Sequence, residues 1–441
     1  MNLRYKYSKA LWLIVMLLLC PVVIKGQEAT DTIAKPNRLT IDGQLFTRGE
    51  YRNGGLPEKE GDEDYASFVM ERTRLSVGYQ RDRLESKITA QHSGVWGQSG
   101  KGTFNLYEAW VQLSSRQGFF AKVGRQELVY DDERIIGNND WTMAAQSHDV
   151  LKLGYKNSNH QVHLVLGYNQ NSANVFGGTE YKNGAEPWKS MQTLWYHYDF
   201  PRIPLGISLI AMNIGTQNTV SDKEKTEQQQ LFGTYIKFIP RSWKFEGSFY
   251  YQLGRSEEHL PIHAWMGALR GEHRFNRSLT AFGGYDYLSG DKSFHVPPVG
   301  GVGLQQKTKV NGFNLLFGSH HQFYGAMDFF YLANYYGGFT PGLQNLFAGG
   351  KWSPIQPLTL SATYHYFSTA TKVSGSNWTL GHEVELGASY ALMKDVKLSL
   401  GYSQMDGTKT MERLKRVSNK KRLQWIWLTL NVTPRFLDFK F

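Results

Sequence analysis

Three stretches in the first part of the chain alternate polar and apolar residues with a period of two. In Arg72–Gln80 (RTRLSVGYQ) the arginines, the serine and the glutamine share one face, and the leucine, valine and tyrosine share the other. Leu84–His92 and Tyr107–Ser114 repeat this arrangement, with Tyr107 on the apolar face. Because successive side chains of a strand point to opposite sides, each stretch predicts a β-strand with one apolar and one polar wall. A soluble β-sandwich would contain strands of the same kind.

The connections between such stretches distinguish a membrane barrel from a sandwich. Tight turns alternate with long polar stretches, which is typical of outer-membrane barrels, whose long loops lie outside the cell. The predicted tight turns are Gln80–Arg83, Ser115–Gly118, Asn157–His160, Pro201–Pro204, Pro240–Ser242, Asn276–Ser278, Ser353–Pro357 and Met393–Asp395. The long loops include Tyr130–Ser147, Asn169–Lys189, Gln217–Gln229, Ser368–Trp378 and Met405–Lys421. We therefore predict an all-β fold, a transmembrane up-and-down antiparallel barrel that occupies residues 39–441 as one domain.

The number of strands depends on one long segment, Ser289–Gly342. If it is a single insertion, the hairpins add up to about 18 strands, and barrels of ~16–18 strands enclose an aqueous lumen. Its apolar runs, Phe313–Phe317 and Phe329–Tyr336, would not stay free in water, so we predict that the segment folds into or over the lumen and restricts it. In the alternative, Val310–Gly318 pairs with Phe323–Tyr336 as a further hairpin, and the barrel is wider by two strands.

The first 26 residues predict a secretory signal peptide. A basic start, Met1–Lys9, precedes the apolar stretch Leu11–Ile24, and Gly26 precedes polar sequence. The alternative is a membrane anchor, but the stretch is shorter than the ~20 residues of a spanning helix, and Pro21 interrupts it. We expect cleavage after Gly26, followed by a short periplasmic segment, residues 27–38.

Composition and charge agree with an exported β protein. The 441 residues include 14% aromatic residues, and the single cysteine, Cys20, lies within the signal, so the mature protein would contain no disulfide. Cleavage removes four basic residues and no acidic one, which leaves 45 basic against 38 acidic residues, a balance of +7. Since export excludes nucleic acid as a partner, this balance indicates a membrane surface or an acidic solute.

The end of the chain, Phe436–Phe441, has apolar residues at every second position before a terminal phenylalanine. This pattern resembles the signal that the barrel-assembly machinery reads, and we expect that machinery as a partner. Pro434 cannot donate a hydrogen bond to a neighbouring strand. We therefore predict that the last strand stops near Val432 and that the tail is an edge piece.

Several blocks resemble the alginate export family of outer-membrane barrels. They are Tyr107–Leu113 (YEAWVQL), Val123–Trp141 (VGRQELVYDDERIIGNNDW), His148–Tyr155, Tyr285–Asp291, His320–Phe330 and Leu380–Tyr390. One departure is Asp131, where the family usually has the glycine of Tyr-Gly-Asp-Glu-Arg. The resemblance implies a channel of ~18 strands with a strongly positive lumen that passes an acidic polysaccharide such as alginate.

Inward-facing charges are the candidate solute-binding and pore-lining residues. Arginine binds carboxylates through two parallel hydrogen bonds, which suits a polymer with one carboxylate per sugar, and neighbouring acids would prevent trapping of the solute. We predict a selectivity zone of Arg72, Arg74, Arg125 and Arg134 with Lys87, Glu108, Glu127, Asp132 and Asp149 around it. Asp149 shares a face with Leu151 and Leu153, so we expect it at the aqueous rim. In the alternative, these charges form ion pairs that only fix the register of the wall.

Other chemistry has weaker support. His320 and His321 with Asp328 could be read as metal ligands, but no pair of histidines has the spacing and nearby carboxylates of a metal site, and we favour a structural role. Ser208 and Ser289 lack the spacing of a hydrolase nucleophile.

Two further groups of residues are assigned to the membrane surface. We predict Trp425 and Trp427 at the membrane interface. The basic run in the last long loop would attract lipopolysaccharide or an acidic solute, or it is simply a solvated loop; its residues are Lys415, Arg416, Lys420, Lys421 and Arg422.

These features together predict a monomeric channel in the outer membrane of a Gram-negative bacterium, with no cofactor and no enzymatic activity. Its expected partners are outer-membrane lipids including lipopolysaccharide, the barrel-assembly machinery and an acidic polysaccharide or related anion. The alternatives are a general or small-anion diffusion porin, a barrel enzyme acting on lipid or polysaccharide, and a surface protein that binds glycans for uptake.

Overall fold

The computed structural model describes residues 36–54, 64–98, 100–171, 173, 181, 186–220, 225–291, 307–330, 339–415 and 423–441. The predicted signal peptide, residues 1–26, and most of the predicted periplasmic segment lie outside these ranges. All elements given below belong to the unit Asn37–Phe441.

Nineteen strands and one α-helix make up the regular structure of the described residues. The first strands are β1 (Arg38–Asn53), β2 (Ala66–Arg81), β3 (Leu84–Val95), β4 (Thr103–Ser114), β5 (Phe119–Gln126), β6 (His148–Lys156), β7 (His160–Tyr168), β8 (Ser190–Asp199) and β9 (Leu205–Gln217). They are followed by β10 (Thr226–Phe238), β11 (Trp243–Arg255), β12 (Pro261–Arg274), β13 (Leu279–Leu288), β14 (Leu343–Ile355), β15 (Leu358–Ser368), β16 (Thr379–Met393), β17 (Val396–Gly407), the helix α1 (Lys409–Lys415), β18 (Leu423–Val432) and β19 (Arg435–Lys440).

These strands form a closed antiparallel barrel of 18 strand positions. From β1 to β18 each strand pairs with the next in sequence, and β1 closes the barrel by pairing with both β18 and β19 on its other side. β18 and β19 share one position, because the ladder is interrupted between Val432 and Arg435, where Pro434 lies. The predicted break of the last strand is therefore confirmed. None of the helices in the described ranges has the length and apolar character of a membrane span.

The turns and loops follow the predicted alternation. All eight predicted tight turns coincide with the short connections at one end of the barrel, and the longer connections lie at the other end. Outer-membrane barrels keep their short turns in the periplasm. The short-turn end is therefore the periplasmic end, and Asn37 and Phe441, whose backbones bond to each other, lie there as well.

The two faces of the wall differ in polarity on β2 to β4. Leu75 and Ile88 are 50% and 55% exposed on the outside, whereas Arg72 and Gln91 are buried on the inside. Tyr107 departs from this alternation. A register shift between Thr89 and Ala90, opposite Tyr107 and Glu108, marks a β-bulge, and a bulge turns two consecutive side chains to one side. Tyr107, predicted on the apolar outer face, therefore points inward beside Glu108.

Apolar residues cover both faces of β9 to β12. Outside, Leu209, Phe232 and Leu269 are exposed, while Met212, Leu231, Ile262 and Met266 are almost fully buried inside. The inner set packs against residues 307–330, which contribute Phe313, Leu315 and Phe317 to the same apolar cluster. The hydrophobic core of this protein thus lies within the lumen.

Residues 307–330 belong to the connection between β13 and β14, and we call them the plug segment. Leu288 at the end of β13 is the register partner of Leu343 at the start of β14, so the whole connection is an insertion, as predicted. Within the plug segment only two isolated bridges occur, Ile136 with Phe317 and Ile262 with Val310. The alternative hairpin of Val310–Gly318 with the following residues is therefore wrong for the described part.

Replacement of residues 289–342 by an Asn-Gly turn should leave a folded barrel with higher conductance. The wall remains intact because Leu288 and Leu343 already face each other at the distance that a two-residue turn joins. Heat-modifiable migration on gels and single-channel conductance measure the two properties. The same replacement of residues 218–225, between the register partners Gln217 and Thr226, is the control and should leave the conductance unchanged. Loss of folding in the first variant alone would contradict a wall that folds without this segment.

Candidate functional site

The connection between β5 and β6, residues 127–147, turns into the barrel, and we call it the inner loop. Arg48 on β1 donates to the carbonyl of Trp141 at 2.9 Å. From β8, the indole of Trp195 donates to Asp131 at 3.2 Å. Because β1 and β8 are seven positions apart in the wall, the inner loop spans much of the lumen.

Arg72 and Arg74 project inward from β2, and both bind the inner loop. Arg72 is fully buried and donates to the carbonyls of Asp140 and Thr142 at 3.0 and 2.8 Å. Arg74 donates to the carboxylate of Asp140 and to Gln91, each at 2.7 Å. Both guanidinium groups are thus occupied in positioning the inner loop, and their contact with a solute stays a prediction.

The inner loop holds several residues in the left-handed backbone region. Asp131 has φ 56°, Glu133 φ 65°, Asn139 φ 47° and Ala145 φ 53°. Side chains other than glycine are disfavoured there, and such strain persists only where surrounding contacts enforce it. Glycine, which the resembled family usually has at the position of Asp131, would meet no steric penalty there, whereas aspartate does.

The plug segment binds directly to the inner loop. Phe317 exchanges backbone hydrogen bonds with Ile135 and Gly137 at 3.0 and 2.9 Å, and the amide of Ser319 donates to the carbonyl of Glu133 at 2.8 Å. The two segments therefore form one body inside the barrel, joined by one isolated parallel bridge between Ile136 and Phe317.

Two carboxylates of β16 anchor the other side of the plug segment. The amide of Ala326 donates to Glu385 at 2.7 Å, and the amide of Met327 donates to Glu383 at 2.9 Å. Elsewhere on the wall, five strand positions from β16, Gln252 of β11 both donates to and accepts from the backbone of Asn314. Charged acceptors make strong hydrogen bonds to backbone amides, so these contacts fix the plug segment between two walls.

Arg134 ties the inner loop, the plug segment and the wall together. Its side chain is 4% exposed and pairs with Asp132 at 2.9 Å and with Asp286 of β13 at 2.8 Å. It also donates to the hydroxyl of Tyr324 at 3.1 Å and lies 4.0 Å from the ring centre of Phe323. The predicted partnership of Arg134 with Asp132 is present, but both side chains serve a buried network.

The remaining inward acids have local partners. Glu127 accepts from the hydroxyl of Tyr107 at 2.6 Å. Glu108 forms an ion pair with Lys87 and accepts from the indole of Trp110 at 3.0 Å. In the pair of Lys87 and Glu108, the side chain of Lys87 is 39% exposed and that of Glu108 is 5% exposed. A solute in the lumen can therefore reach Lys87.

Arg125 and Asp149 lie on the outer face of the wall, which differs from the predicted pore-lining position. They form a bidentate pair at 2.9 and 2.6 Å. Arg125 shares its face of β5 with Val123, which is 51% exposed, whereas the next residue, Gln126, is fully buried inside. The prediction placed Arg125 on the polar, inner face of its strand, but the strand's alternation turns this side chain outward. Asp149 lies beside it at the start of β6, near the extracellular rim.

The residues considered for other chemistry have structural partners. His321 bonds to Asp328 at 2.9 Å and stacks on Trp141. Burial lowers the pKa of His320 to about 4, and this ring donates to the carbonyl of Leu315 at 2.9 Å. Across the described residues, no group of three or more His, Cys, Asp or Glu side chains could hold a metal.

Ser208 belongs to a chain of polar contacts that looks like a hydrolase triad. Its hydroxyl bonds to His197 at 2.8 Å, and the other ring nitrogen of His197 meets Asp199 at 3.1 Å. Ser208 is, however, fully buried, so no substrate can reach its oxygen.

Trp425 and Trp427 point into the lumen, and their predicted place at the membrane interface is wrong. Trp425 is fully buried and donates to Glu50 at 2.9 Å. Both indoles pack edge-on against Trp141 of the inner loop. Of the basic run in the last long loop, only Lys415 falls within the described residues.

A lysine cluster that the sequence interpretation missed lies on the inner wall at β3 to β6. Lys122 of β5 is the direct register partner of Lys152 of β6, and the ammonium of Lys122 lies 3.6 Å from the ring centre of Trp110. The described residues provide no salt bridge to either lysine. Lys87 is the third cation of this group, which we call the lysine patch (Lys87, Lys122 and Lys152).

A second cationic group lies across the lumen on β11 to β14. Lys244 pairs with Glu246 at 2.8 Å, and Arg270 approaches Glu272 at 3.6 Å. Lys351 has no ion pair in the part of the chain that the structure describes. All cations of both groups lie within four residues of the short-turn ends of their strands. They therefore border a vestibule that opens to the periplasm, below the inner loop.

Comparison with known proteins supports a channel fold. The family model for alginate export matches residues 96–420. No curated protein has a sequence that matches this chain.

Solved porins share the architecture. A BenF-like porin from Pseudomonas fluorescens Pf-5 aligns with a TM-score of 0.60 and 12% identity, over 90% of this chain and 99% of that one. OccK2 (OpdF) of Pseudomonas aeruginosa, solved in complex with glucuronate, aligns with a TM-score of 0.61 and 11% identity, over 90% and 98%. OccAB4 of Acinetobacter baumannii aligns with a TM-score of 0.59 and 10% identity, over 92% and 99%. At these identities the likeness shows the fold alone.

Arg134→Met should loosen the inner loop and the plug segment without unfolding the wall. The change leaves the buried carboxylate of Asp286 without its cation, and removal of one partner of a buried pair costs roughly 3–5 kcal/mol. We expect faster proteolysis within residues 127–147 and noisier single-channel current.

The double variant Arg134→Met with Asp286→Asn is the matched control, since it also removes the buried charge of Asp286, while Asp132 is unpaired in both variants. It should recover part of the lost protease resistance. Unchanged proteolysis in the single variant would contradict the role of Arg134 as a tie.

Asp131→Asn should stabilise the protein at neutral pH and not at acidic pH. Burial raises the pKa of Asp131 from 3.8 to about 6. A carboxyl with a raised pKa favours the folded state below its unfolded pKa, and that contribution is lost as the pH rises through the folded pKa. Asparagine tolerates the left-handed conformation and cannot ionise.

Unfolding midpoints in urea at about pH 4 and about pH 7.5 test this expectation. The gain at the higher pH should not exceed about 3 kcal/mol, since one pKa unit corresponds to about 1.4 kcal/mol. Asp82→Asn is the matched control, because Asp82 is exposed in a tight turn and also has a positive φ, 44°. An equal gain at both pH values would contradict the assignment to ionisation of Asp131.

Proposed function

The chain belongs to the alginate export family, and from this premise we propose that its outer-membrane channel conducts an acidic polysaccharide of the alginate type. The family and the barrel make it an outer-membrane protein of a Gram-negative bacterium. The finer claim, the acidic solute, depends on the charges of the periplasmic vestibule.

The observation that carries this proposal is the facing pair Lys122 and Lys152. Like charges directly opposite each other on neighbouring strands are destabilising. An anion between the two ammonium groups would offset their repulsion, so the pair is suited to bind a carboxylate. The shape of the wall does not require two lysines here, since uncharged side chains fit a strand equally well.

The second cationic group favours a polyanion over a single small anion. Lys351 and the partly paired Arg270 lie across the lumen from the lysine patch, six to nine strand positions away. A polymer with one carboxylate per sugar can engage both walls, and linked binding sites raise the overall affinity without any new kind of contact. OccK2, which shares the barrel fold, was solved with glucuronate, an acidic sugar of the class that such polymers contain.

A small-anion diffusion porin is the second candidate. The plug segment is fixed to two walls and to the inner loop, which leaves less room than an open barrel of 18 strand positions. This restriction favours small solutes. The two functions share the anion preference and differ in the size of the solute.

We propose that the protein works without bond chemistry and without a cofactor. The contacts of His320, His321 and Ser208 support this view, because each group is held by structural partners or is inaccessible. A monomeric state, contact with lipopolysaccharide and recognition by the barrel-assembly machinery stay predictions.

The channel should prefer anions, and Lys122→Gln with Lys152→Gln should reduce that preference. Reversal potentials under a salt gradient measure it directly. We expect the ratio of anion to cation permeability to fall by at least about fivefold, because each unit charge at ~4 Å contributes about 1 kcal/mol in water and the variant removes two. The preference of the unaltered channel should also weaken near 1 M salt, where the Debye length is ~3 Å.

Arg125→Gln is the matched control, because it removes a cation from the outer face of the same strand. This variant should keep the selectivity of the unaltered channel. A cation-preferring channel, or equal losses in the control and in the lysine variant, would contradict the proposed function.

A further inference from the structure

A cavity of about 270 Å³ opens on the inner wall between β1 and β4, in the periplasmic vestibule. Its lining includes the indole of Trp110, the ammonium of Lys87 and three hydrogen-bonding side chains, Thr40, Ser76 and Gln80. The lining is otherwise mostly polar and charged, with Tyr79 as its other aromatic residue. An indole beside several hydrogen-bonding side chains suits a ligand that has both an apolar face and polar groups.

The indole of Trp110 is held in a fixed orientation. Its ring nitrogen donates to Glu108 at 3.0 Å, and Glu108 is in turn paired with Lys87. The ammonium of Lys122 lies 3.6 Å from the ring centre. The register partner of Trp110 on β5 is Gly124. A Cβ at this glycine would lie 3.0 Å from the Cα of Trp110 and 2.2 Å from the carbonyl oxygen of Ala109. The glycine therefore allows close approach of β4 and β5 at this point.

The acids that line the cavity are already engaged. Asp42 is paired with Arg435 at 2.6 Å, and Glu85 accepts from Gln80 at 3.3 Å. Lys87 keeps a substantial exposed fraction, and Lys122 is unmatched by any carboxylate of the described residues. Lys87 and Lys122 therefore leave an excess of positive charge beside the indole of Trp110, which suits a negatively charged ligand.

We infer that this cavity is a subsite for one uronate residue of the polymer. The apolar face of the pyranose ring lies against the face of Trp110 that Lys122 does not cover, the sugar hydroxyls bond to Thr40, Ser76 and Gln80, and the carboxylate points to Lys87. This inference rests on the proposed function and deepens it, because it requires recognition of a sugar ring in addition to negative charge.

The ammonium group and the indole of the subsite recognise different parts of the ligand, and this distinguishes a sugar acid from a simple anion. An ammonium group attracts acetate and glucuronate alike, since the attraction depends on charge. Only a ring with a broad apolar face gains contact with the indole. A neutral sugar would gain the ring contact and lack the ion pair. The three probes glucuronate, acetate and glucose therefore report on different parts of the site.

Blockade of single-channel current by each probe, added from the periplasmic side of the full-length mature protein, tests the subsite. Trp110→Ala should weaken the apparent affinity for glucuronate by roughly three- to tenfold, the range expected for loss of one aromatic contact, and leave acetate unchanged. Trp110→Phe should restore most of the affinity, because it keeps a ring. Lys87→Gln should weaken both acids and leave glucose unchanged.

The outcomes distinguish the subsite from the proposed function. If Trp110→Ala binds glucuronate as well as the unaltered channel does, while the anion preference persists, the subsite is overturned and the proposed function stands. If the unaltered channel neither prefers anions nor binds glucuronate, the proposed function fails and the subsite with it. Heat-modifiable migration verifies the fold of each variant. Should Trp110→Ala not assemble, the same comparison between Trp110→Phe and Trp110→Leu decides.

Discussion

The constraint on which this structure depends is that no backbone polar group can remain unpaired in lipid. The wall meets it by closure, with β1 bonded to β2 on one side and to β18 and β19 on the other. Closure also divides every strand into an outer face, which must suit lipid, and an inner face, which can carry charge. The polar chemistry of the protein is therefore concentrated on the inner face, where water and folded segments share the space.

Much of the wall could be predicted because its signals are local. Tight turns such as Asn276–Ser278 are specified by neighbouring residues, whose side chains bond to the backbone a few positions away. The break at Pro434 follows from a missing amide donor. On β2 to β4 the inner face packs against the polar inner loop and is itself polar. Polar and apolar residues therefore alternate in the sequence of these strands.

The candidate site was harder to predict, because its signals are not local. On β9 to β12 the inner face is apolar, since the plug segment from another part of the chain packs on it, and the alternation disappears from the sequence. The bulge at Tyr107 exchanges the inward and outward positions along β4, and no proline or glycine at that position indicates it in the sequence. Arg125 was assigned to the polar, inner face of β5, although Arg125 and Val123 lie on the same side of this strand and both face outward. Lys122 and Lys152 become a pair only through the register of two strands.

The direct pairing of Leu288 with Leu343 has an evolutionary consequence. The wall is complete without the residues between them, so this connection can lengthen, shorten or be exchanged while the order and register of the strands stay the same. Mutations that reshape the aperture are thereby uncoupled from those that maintain insertion into the membrane. A lineage of such barrels can therefore change which solutes it admits many times over and inherit a single scaffold throughout.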